Sequence, residues 1–332
     1  EMTQMISEIK NTELERNDMI SKMNRLGAAR EAFLFVIDYR AKNGFVFCND
    51  ELNTDFVRFS LHAERPHSNA EKPLWNTFPV SMAHYRKAFE YVQSQICKGN
   101  SFLVNLTKPT RLETDLTLES IFEKSHAAYK LWLKDRFTVL SPECFVRIEN
   151  GRISSFPMKG TIDAAIPDAE NIILNDYKEK AEHATIVDLI RNDLSMVADR
   201  VEVKRYRYVD RLKTNKGDLL QVSSEISGML PQNFHENLGD IIFRLLPAGS
   251  ISGAPKPKTM EIIETAEAYE RGYYTGVFGY FDGENLDSAV MIRFVEQQND
   301  GLIFKSGGGI TSLSDCEKEY DELLRKVYVP LY

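Results

Sequence analysis

Apolar residues along the chain are concentrated in short stretches that are separated by turn-forming residues. Three pairs of these stretches each flank a turn that contains Asn-Gly or Asp-Gly: 33–37 with 45–47, 145–148 with 152–156, and 274–281 with 288–294. Such dipeptides between apolar runs are typical of β-hairpins. We therefore predict three hairpins, and a further strand over 102–106.

Longer segments without turn-forming residues indicate helices, of which the first is polar throughout. The predicted helices cover 4–30, 82–97, 176–198, 257–271 and 316–328, the first ending near Gly27 and the second at Gly99. Helices placed between antiparallel hairpins define an α+β fold rather than a doubly wound parallel sheet. No repeat, low-complexity tract or linker interrupts the pattern, so we expect residues 1–332 to form a single domain.

Two pairs of glutamates depart from the amphipathic pattern of a soluble helix. In the helix predicted over 176–198, Glu179 and Glu182 fall on the same stripe as Ile186 and Ile190. A buried carboxylate is costly unless a cation or hydrogen-bond donors accompany it. The hard oxygens of such a pair suit Mg²⁺, which takes few protein ligands and keeps several waters.

The second pair, Glu319 and Glu322, has the same spacing in the last predicted helix. For either pair alone, solvated glutamates that the helix dipole favours in a first turn are the preferred interpretation. His183, beside Glu182, fits a packing or hydrogen-bonding histidine better than a metal ligand.

Two glycine-rich stretches adjoin predicted helices. The first, 249–256, runs into a helix and ends at Lys256, and the second is 306–310. Free N–H groups at such places bind carboxylates or phosphates, although each stretch alone is also typical of a turn. Arg293, at the end of an apolar strand, needs an anionic partner and suits bidentate carboxylate binding.

Composition narrows the classes of function. The 332 residues carry a net charge of −8, and no basic stripe is present, so nucleic acid is not an expected partner. No apolar run approaches 18 residues, so we expect no membrane span. The four cysteines are scattered without metal-type spacing, as in the reduced thiols of a cytoplasmic protein.

Assembled in order, these segments resemble the chorismate-utilising enzymes, the family of anthranilate synthase, of isochorismate and salicylate synthases, and of aminodeoxychorismate synthase. The matching blocks are 141–143, 157–161, 186–194, 247–256, 276–281, 287–293 and 307–310 with the region of Glu319. They make 99–332 the part of the domain that carries the family motifs, and 1–98 a shortened N-terminal part.

The resemblance implies an anthranilate-synthase-like fold, in which two antiparallel β-sheets pack as a sandwich with helices on the outside and the active site between the sheets. It also implies a Mg²⁺ site, and the metal would hold the ring carboxylate of chorismate. The residues that would bind the metal directly or through water are Glu179, Glu182, Glu319 and Glu322. The residues that would bind substrate are Thr161, Ser250, Tyr280, Arg293, Gly307, Gly308 and Gly309.

The same resemblance gives Glu143 the role of general acid for the departing 4-hydroxyl, which needs a raised pKa. Lys159 stands where aminodeoxychorismate synthases have lysine and where anthranilate and isochorismate synthases usually have alanine. It implies that the lysine amine adds at C2 of chorismate and that ammonia then adds at C4, giving 4-amino-4-deoxychorismate for 4-aminobenzoate and folate. Such a nucleophile needs a lowered pKa. Anthranilate synthase component I is the alternative.

Three positions depart from the family pattern. Leu103 replaces the lysine base of water-adding relatives, which argues against isochorismate or salicylate synthesis, and it also replaces a glutamine that is common in amine-adding members. Phe156 and Gln221 stand where arginine and histidine are frequent. None of the cysteines lies in a G-x-C-x-G setting, so the implied partner is a separate glutamine amidotransferase subunit that supplies ammonia.

Overall fold

A computed structural model describes residues 13–62, 73–214 and 217–330. The helices are α1 Arg16–Ala28, α2 Met82–Cys97, α3 Leu118–Lys124, α4 Ala169–Asn175, α5 Tyr177–Ser195, α6 Leu238–Leu245, α7 Gly249–Ser252, α8 Lys256–Glu267 and α9 Cys316–Arg325. The strands are β1 Leu14–Glu15, β2 Phe33–Ile37, β3 Asn43–Cys48, β4 Val57–Leu61, β5 Trp75–Phe78, β6 Leu103–Thr114, β7 Tyr129–Leu133, β8 Phe137–Ser141, β9 Cys144–Glu149, β10 Arg152–Ser155, β11 Met158–Asp163, β12 Asp199–Thr214, β13 Gly217–Met229, β14 Gly253–Ala254, β15 Val277–Phe281, β16 Leu286–Val290, β17 Phe294–Gln298 and β18 Gly301–Ile310.

These strands form two antiparallel sheets. The first has ten strands in the order β1-β3-β2-β15-β16-β9-β10-β13-β11, with β12 also paired to β13. The second has eight, in the order β14-β6-β18-β17-β8-β7-β4, with β5 also paired to β6. The predicted α+β class with two antiparallel sheets is confirmed.

Strand β2 shows how the sandwich is held together. All five of its residues are buried, because alternate side chains point to opposite faces of the sheet. Phe33, Phe35 and Ile37 pack with Met19 of α1 on the outer face. Leu34 and Val36 join a second cluster whose members come from the other sheet, among them Leu131 and Val139. The continuous apolar run therefore reflects burial on both faces.

Helices cover the outer face of each sheet. Against the ten-stranded sheet, α1, α5 and α6 supply apolar side chains such as Leu26, Ile186 and Ile242. Against the eight-stranded sheet, α2, α8 and α9 supply residues such as Phe89 and Leu323. Helix layers on both sides of two facing sheets are the arrangement expected from the resemblance.

The predicted helix over 82–97 begins and ends where expected. Ser81 is its N-cap and accepts from the backbone N–H of His84, and Gly99 follows with a positive φ of 77°. The other predicted helices form with shorter bounds, as α1, α5, α8 and α9. Residues 4–12 of the predicted N-terminal helix lie outside the described residues. None of the described helices is long and apolar enough to cross a membrane.

Two sequence predictions of hairpin geometry were wrong in detail. Asn43 and Gly44 are strand residues of β3, since the turn is formed earlier by Asp38, whose side chain accepts from the N–H of Lys42 at 2.8 Å. The strand predicted over 288–294 ends at Val290 instead. The chain then crosses to the other sheet, where β17 begins. Apolar periodicity reports burial but does not reveal which sheet provides it.

Candidate active site

Two crossovers between the sheets lie side by side and place an acid and a guanidinium together. One joins β8 to β9 and carries Glu143; the other joins β16 to β17 and carries Arg293. The N–H of Val290 donates to the carbonyl of Glu143 at 3.1 Å, and the N–H of Leu140 donates to the carbonyl of Arg293 at 3.1 Å. Arg293 has a positive φ of 52°, which marks the change of direction. The backbone therefore fixes both residues at the junction of the two sheets.

Lys159 reaches the same region from strand β11. The pairing of β11 with β13 shifts register between Met158 and Thr161, and Gly160 between them has a φ of 82°. This irregular backbone directs the Lys159 amine to the carboxylate of Glu182, with Nζ and Oε2 3.0 Å apart. A Cβ at Gly160 would lie 3.3 Å from Oε2 of Glu179, so the glycine leaves room for that glutamate.

Helix α5 explains why its two glutamates are on the core-facing stripe. Asp176 caps the helix by accepting from the N–H of Glu179 at 2.8 Å. Glu182 is 4% exposed, and the stripe continues with the buried residues Ile186 and Ile190. The predicted orientation of this pair is thus confirmed, and the cation beside Glu182 is the ammonium of Lys159.

The glycine stretch of β18 faces these groups from the other sheet. A Cβ at Gly309 would lie 3.3 Å from Nζ of Lys159 and 3.9 Å from Oε2 of Glu182. At Gly308 it would lie 3.6 Å from Oε2 of Glu319 and 3.6 Å from Oε1 of Glu322. Side chains at these two positions would contact Lys159 and the glutamates, so the glycines leave room for them. We call Lys159 and the two glutamate pairs the lysine–glutamate cluster.

At one edge of the glycine stretch, the backbone is not paired with a neighbouring described strand. Strand β18 pairs with β17 only as far as Lys305, whereas its pairing with β6 continues through Gly307, Gly308 and Gly309. Among the described strands, none covers the other edge of these glycines. This geometry agrees with the predicted role of their amides in carboxylate binding.

The charge of Lys159 is set by opposing effects. Burial lowers the pKa of the amine, but the charge and hydrogen bond of Glu182, with further contributions from Glu179 and Glu322, raise it, and the net direction is upward. Lys159 is therefore an ammonium in this arrangement, opposite to the lowered pKa that nucleophilic attack requires. Neutralising the carboxylates would leave burial as the dominant effect.

Glu143 has the protonation behaviour expected of a general acid. Burial raises the pKa of its carboxyl group, while the hydrogen bond from Ser250 and the charges of Lys159, Lys326 and Arg293 lower it, and the net direction is upward. Ser250, on the short helix α7, donates directly to Oε1 of Glu143. The structure thus places Ser250, Arg293 and Lys159 close enough to Glu143 to affect the pKa of its carboxyl group.

Two predicted substrate residues are placed differently. The hydroxyl of Tyr280 donates to Asn49 at 3.2 Å and its ring packs on Phe59, and neither partner belongs to the lysine–glutamate cluster. Thr161 lies exposed on β11, two residues beyond Lys159. The structure therefore does not bring Tyr280 to the cluster, and it keeps Thr161 at the margin.

Two residues of the site were missed by sequence reasoning. Lys326 pairs with Glu322 at 2.6 Å and donates to the carbonyl of Gly307 at 2.9 Å. Burial lowers its pKa, and the charge of Glu322 opposes this. Lys326 is four residues after Glu322, so it lies one turn further along the same helix stripe. This spacing is visible in the sequence and could have identified it. Tyr274 is buried and is electrostatically coupled to Arg293 and Glu143, and no sequence spacing marks it.

Lys256 and His183 have structural partners. Lys256 forms an ion pair with Asp193 at 2.6 Å and donates to the carbonyl of Leu245, so it anchors the glycine stretch to α5 rather than facing the cluster. Nε2 of His183 lies 2.6 Å from Oγ of Ser224, as predicted for a hydrogen-bonding histidine. Burial, with the charges of Arg207 and Lys159, lowers the pKa of His183 to about 4.

A Mg²⁺ ion fits the chemistry of the four glutamates. Within the described residues, no group of three Asp, Glu, His or Cys side chains is close enough to enclose a metal entirely. Mg²⁺ does not require this, because it usually binds one or two carboxylates and completes its octahedron with water and substrate oxygens. The space in front of Gly308, between Glu319 and Glu322, has the required hard oxygen donors.

The fold and this site define a class of protein. The model of the chorismate binding enzyme family matches residues 34–332, and the chain belongs to that family. An uncharacterized PabA-like protein of Haemophilus influenzae is 50% identical over 94% of this chain and 96% of its own length. A second uncharacterized PabA-like protein, from Pasteurella multocida, is 50% identical over 94% of this chain and 98% of its own length.

More distant relatives include anthranilate synthases. Anthranilate synthase component 1 of Acetivibrio thermocellus is 33% identical over 72% of this chain but only 50% of its own length. Among solved structures, anthranilate synthase component I of Streptococcus pneumoniae is 26% identical, with a TM-score of 0.66 over 77% of this chain and 59% of that chain. An isochorismate synthase structure from Bacillus anthracis, 18% identical with a TM-score of 0.72 over 95% of this chain and 89% of that chain, shows the shared fold.

Proposed function

We propose that this chain aminates chorismate at C4 with ammonia to give 4-amino-4-deoxychorismate, in the manner of aminodeoxychorismate synthase component I. The observation that carries the proposal is the position of Lys159, whose amine points between the two sheets toward the glycine stretch and beside Glu182. A position between the sheets suits an amine that attacks a bound substrate, whereas a lysine that serves only as a surface charge would extend into solvent. The PabA-like names of the two 50% identical relatives agree with it.

In the proposed reaction, the neutral amine of Lys159 attacks C2, the ring double bond shifts, and the C4–O bond breaks. Glu143 donates its proton to the departing hydroxyl, which leaves as water. Ammonia then attacks C4, the ring double bonds shift back, and the C2–N bond breaks with its electron pair returning to Lys159. The new ammonium gives one proton to the Glu143 carboxylate, which restores the starting state of both side chains.

Four glutamates would hold Mg²⁺: Glu179, Glu182, Glu319 and Glu322. When bound, the metal supplies the positive charge that neutralises these carboxylates and attracts a substrate carboxylate. The chain's own part is to release Lys159 from its ion pair with Glu182, after which burial favours the neutral amine. Arg293, Lys326 and the amides of Gly307 to Gly309 would orient the remaining carboxylate. Free ammonia would come from a glutamine amidotransferase partner.

Anthranilate synthase component I is the second candidate, because several curated relatives over half or more of this chain carry that name. That reaction aminates C2 and releases pyruvate. It has no need for an amine at position 159, where Lys159 stands.

Product identification separates the two functions. The chain is incubated with chorismate, Mg²⁺ and ammonium, and products are resolved by liquid chromatography with mass detection. We expect 4-amino-4-deoxychorismate, which a 4-amino-4-deoxychorismate lyase converts to 4-aminobenzoate. Lys159→Ala should abolish or divert this product, while Lys180→Ala, which changes an exposed lysine of α5, should not. Anthranilate with pyruvate from the unaltered chain would favour the alternative.

A further inference from the structure

Asn105 of strand β6 faces the lysine–glutamate cluster. It pairs in register with Gly309 of β18. Paired residues of an antiparallel ladder point to the same face, with Cβ atoms about 4.5–5.5 Å apart. The Cβ direction of Gly309 leads to Nζ of Lys159 at 3.3 Å. The Asn105 side chain therefore lies on the face of β6 and β18 that the Lys159 amine approaches from the other sheet.

The side-chain oxygen of Asn105 is buried and is left without a donor. Within residues 13–62, 73–214 and 217–330, no group hydrogen-bonds to Oδ1. A buried amide oxygen without a hydrogen-bond donor destabilises the folded protein. An acceptor maintained at that cost inside an active site is complementary to a ligand that brings an N–H or O–H donor.

Among its neighbours on the same face of β6, Asn105 is the residue that can accept a hydrogen bond from a ligand. Leu103, two residues earlier on the same face, is apolar, and Thr107, two residues later, already donates to Glu267 at 2.8 Å. The backbone carbonyl of Asn105 accepts from Nη2 of Arg271 at 2.7 Å, and Arg271 is itself 3% exposed and held by Glu267. The backbone of Asn105 is thus held in place, while its side-chain Oδ1 has no hydrogen-bond donor among the described residues.

We propose that Oδ1 of Asn105 binds the incoming ammonia, accepting one N–H while the nitrogen lone pair faces C4 of the substrate. This inference rests on the proposed function and names the residue that selects its second substrate. An apolar Leu103 cannot hold ammonia, and the amide two residues away can. Binding breaks no bond: ammonia keeps its three hydrogens until it has attacked C4, and the excess proton then passes to Glu143 as described above.

The test compares substrate dependence in three variants. Asn105→Leu matches the amide in shape and removes the acceptor, and Asn105→Ser restores a smaller one. Thr110→Val is the control, because Thr110 lies on the same strand with an equally buried hydroxyl for which the described residues provide no partner, but it is paired with Phe304 away from the cluster. Initial rates are measured against ammonium at saturating chorismate, and against chorismate at saturating ammonium.

We expect Asn105→Leu to lower kcat/KM for ammonium about tenfold, the loss of one hydrogen bond, with the KM for chorismate unchanged. Asn105→Ser should fall between the leucine variant and the unaltered chain, and Thr110→Val should equal the unaltered chain. An unchanged ammonium dependence, or a change confined to chorismate, would overturn the assignment of Asn105 alone. If the unaltered chain forms anthranilate, the proposed function fails while Asn105 is still judged by the ammonium profile. If the unaltered chain uses no ammonium at all, both are wrong.

Discussion

Two ion pairs of this protein differ in exposure and in the geometry of the contact between their partners. Arg271 and Glu267 join through two hydrogen bonds, of 2.8 and 2.6 Å, and their side chains are 2% and 1% exposed. Arg271 also donates to the carbonyl of Ile251 and to Thr275. Lys159 and Glu182 join through one contact of 3.0 Å, and the lysine side chain is 26% exposed.

The difference distinguishes a pair that stabilises the fold from a pair that is proposed to take part in the reaction. The donors of Arg271 are used by α7, β6 and the segment after α8, so the pair fastens the backbone that presents Ser250 and Asn105. The Lys159 pair lies beside Gly309 and is more exposed, and its carboxylate must exchange one cation for another if the lysine is to become a nucleophile. A buried two-point contact gives rigidity, whereas a more exposed one-point contact between a lysine and a carboxylate can be exchanged.

The largest expected effect on kcat comes from changing Glu143, the proposed general acid. Glu143→Gln keeps the shape and removes the proton, so kcat should fall by about 10²–10⁴-fold, the usual contribution of general acid catalysis. Thermal stability should be little changed, because the buried glutamine retains the hydrogen bond with Ser250. Steady-state kinetics and a melting curve check both points. Glu149→Gln, at an exposed carboxylate on the adjoining strand, is the matched control; equal rates for both variants would remove Glu143 from the mechanism.

Loss of a carboxylate that is proposed to bind Mg²⁺ should have the next largest effect. If the metal is bound there, Glu322→Gln should reduce activity more than about 100-fold, since several kcal/mol of charge stabilisation would depend on the metal. The unaltered chain should lose activity in EDTA and regain it with Mg²⁺. Glu317→Gln changes an exposed glutamate of the same helix and should have no effect. Full activity in metal-free buffer would show that the core-facing carboxylates have another purpose.

The structural pair should respond in stability instead. Arg271→Ala leaves Glu267 buried without its cation, and this should cost about 3–5 kcal/mol of unfolding free energy. Urea denaturation followed by circular dichroism measures the loss. Arg191→Ala, which breaks an exposed pair with Asp188, should cost at most about 1 kcal/mol. If the two variants unfold at the same urea concentration, the contrast between the two regions does not hold.

The smallest effect is a shift in pH dependence. A general acid is active while protonated, so activity should fall as pH rises through the raised pKa of Glu143. The hydrogen bond from Ser250 lowers that pKa, and Ser250→Ala should therefore move the alkaline limb of the kcat profile to higher pH. A profile across neutral and alkaline pH checks the sign, with Ser195→Ala as an exposed control. Movement to lower pH would contradict the assigned role of Ser250.

Sequence patterns predicted the parts of the site that depend on local periodicity. The core-facing stripe of α5, the end of α2 before Gly99 and the hairpin at Asn150-Gly151 follow from spacing along one element. The crossover that carries Arg293 was not predictable, because residues buried in either sheet look alike in sequence. Lys326 could have been found, because it continues the glutamate stripe of α9 by one turn. Tyr274 reaches the site through tertiary contacts, and the upward pKa of Lys159 depends on glutamates from two separate helices.

The most direct test of the account is the covalent intermediate on Lys159. The chain is mixed with chorismate and Mg²⁺ without ammonia, quenched, and measured by intact-mass spectrometry followed by peptide mapping. The account predicts a chorismate-derived adduct, with water lost, on Lys159 itself; it should disappear when ammonium is added and should be absent in Lys159→Ala. Active enzyme that never carries this adduct, or an alanine variant that forms 4-amino-4-deoxychorismate at the normal rate, would contradict it.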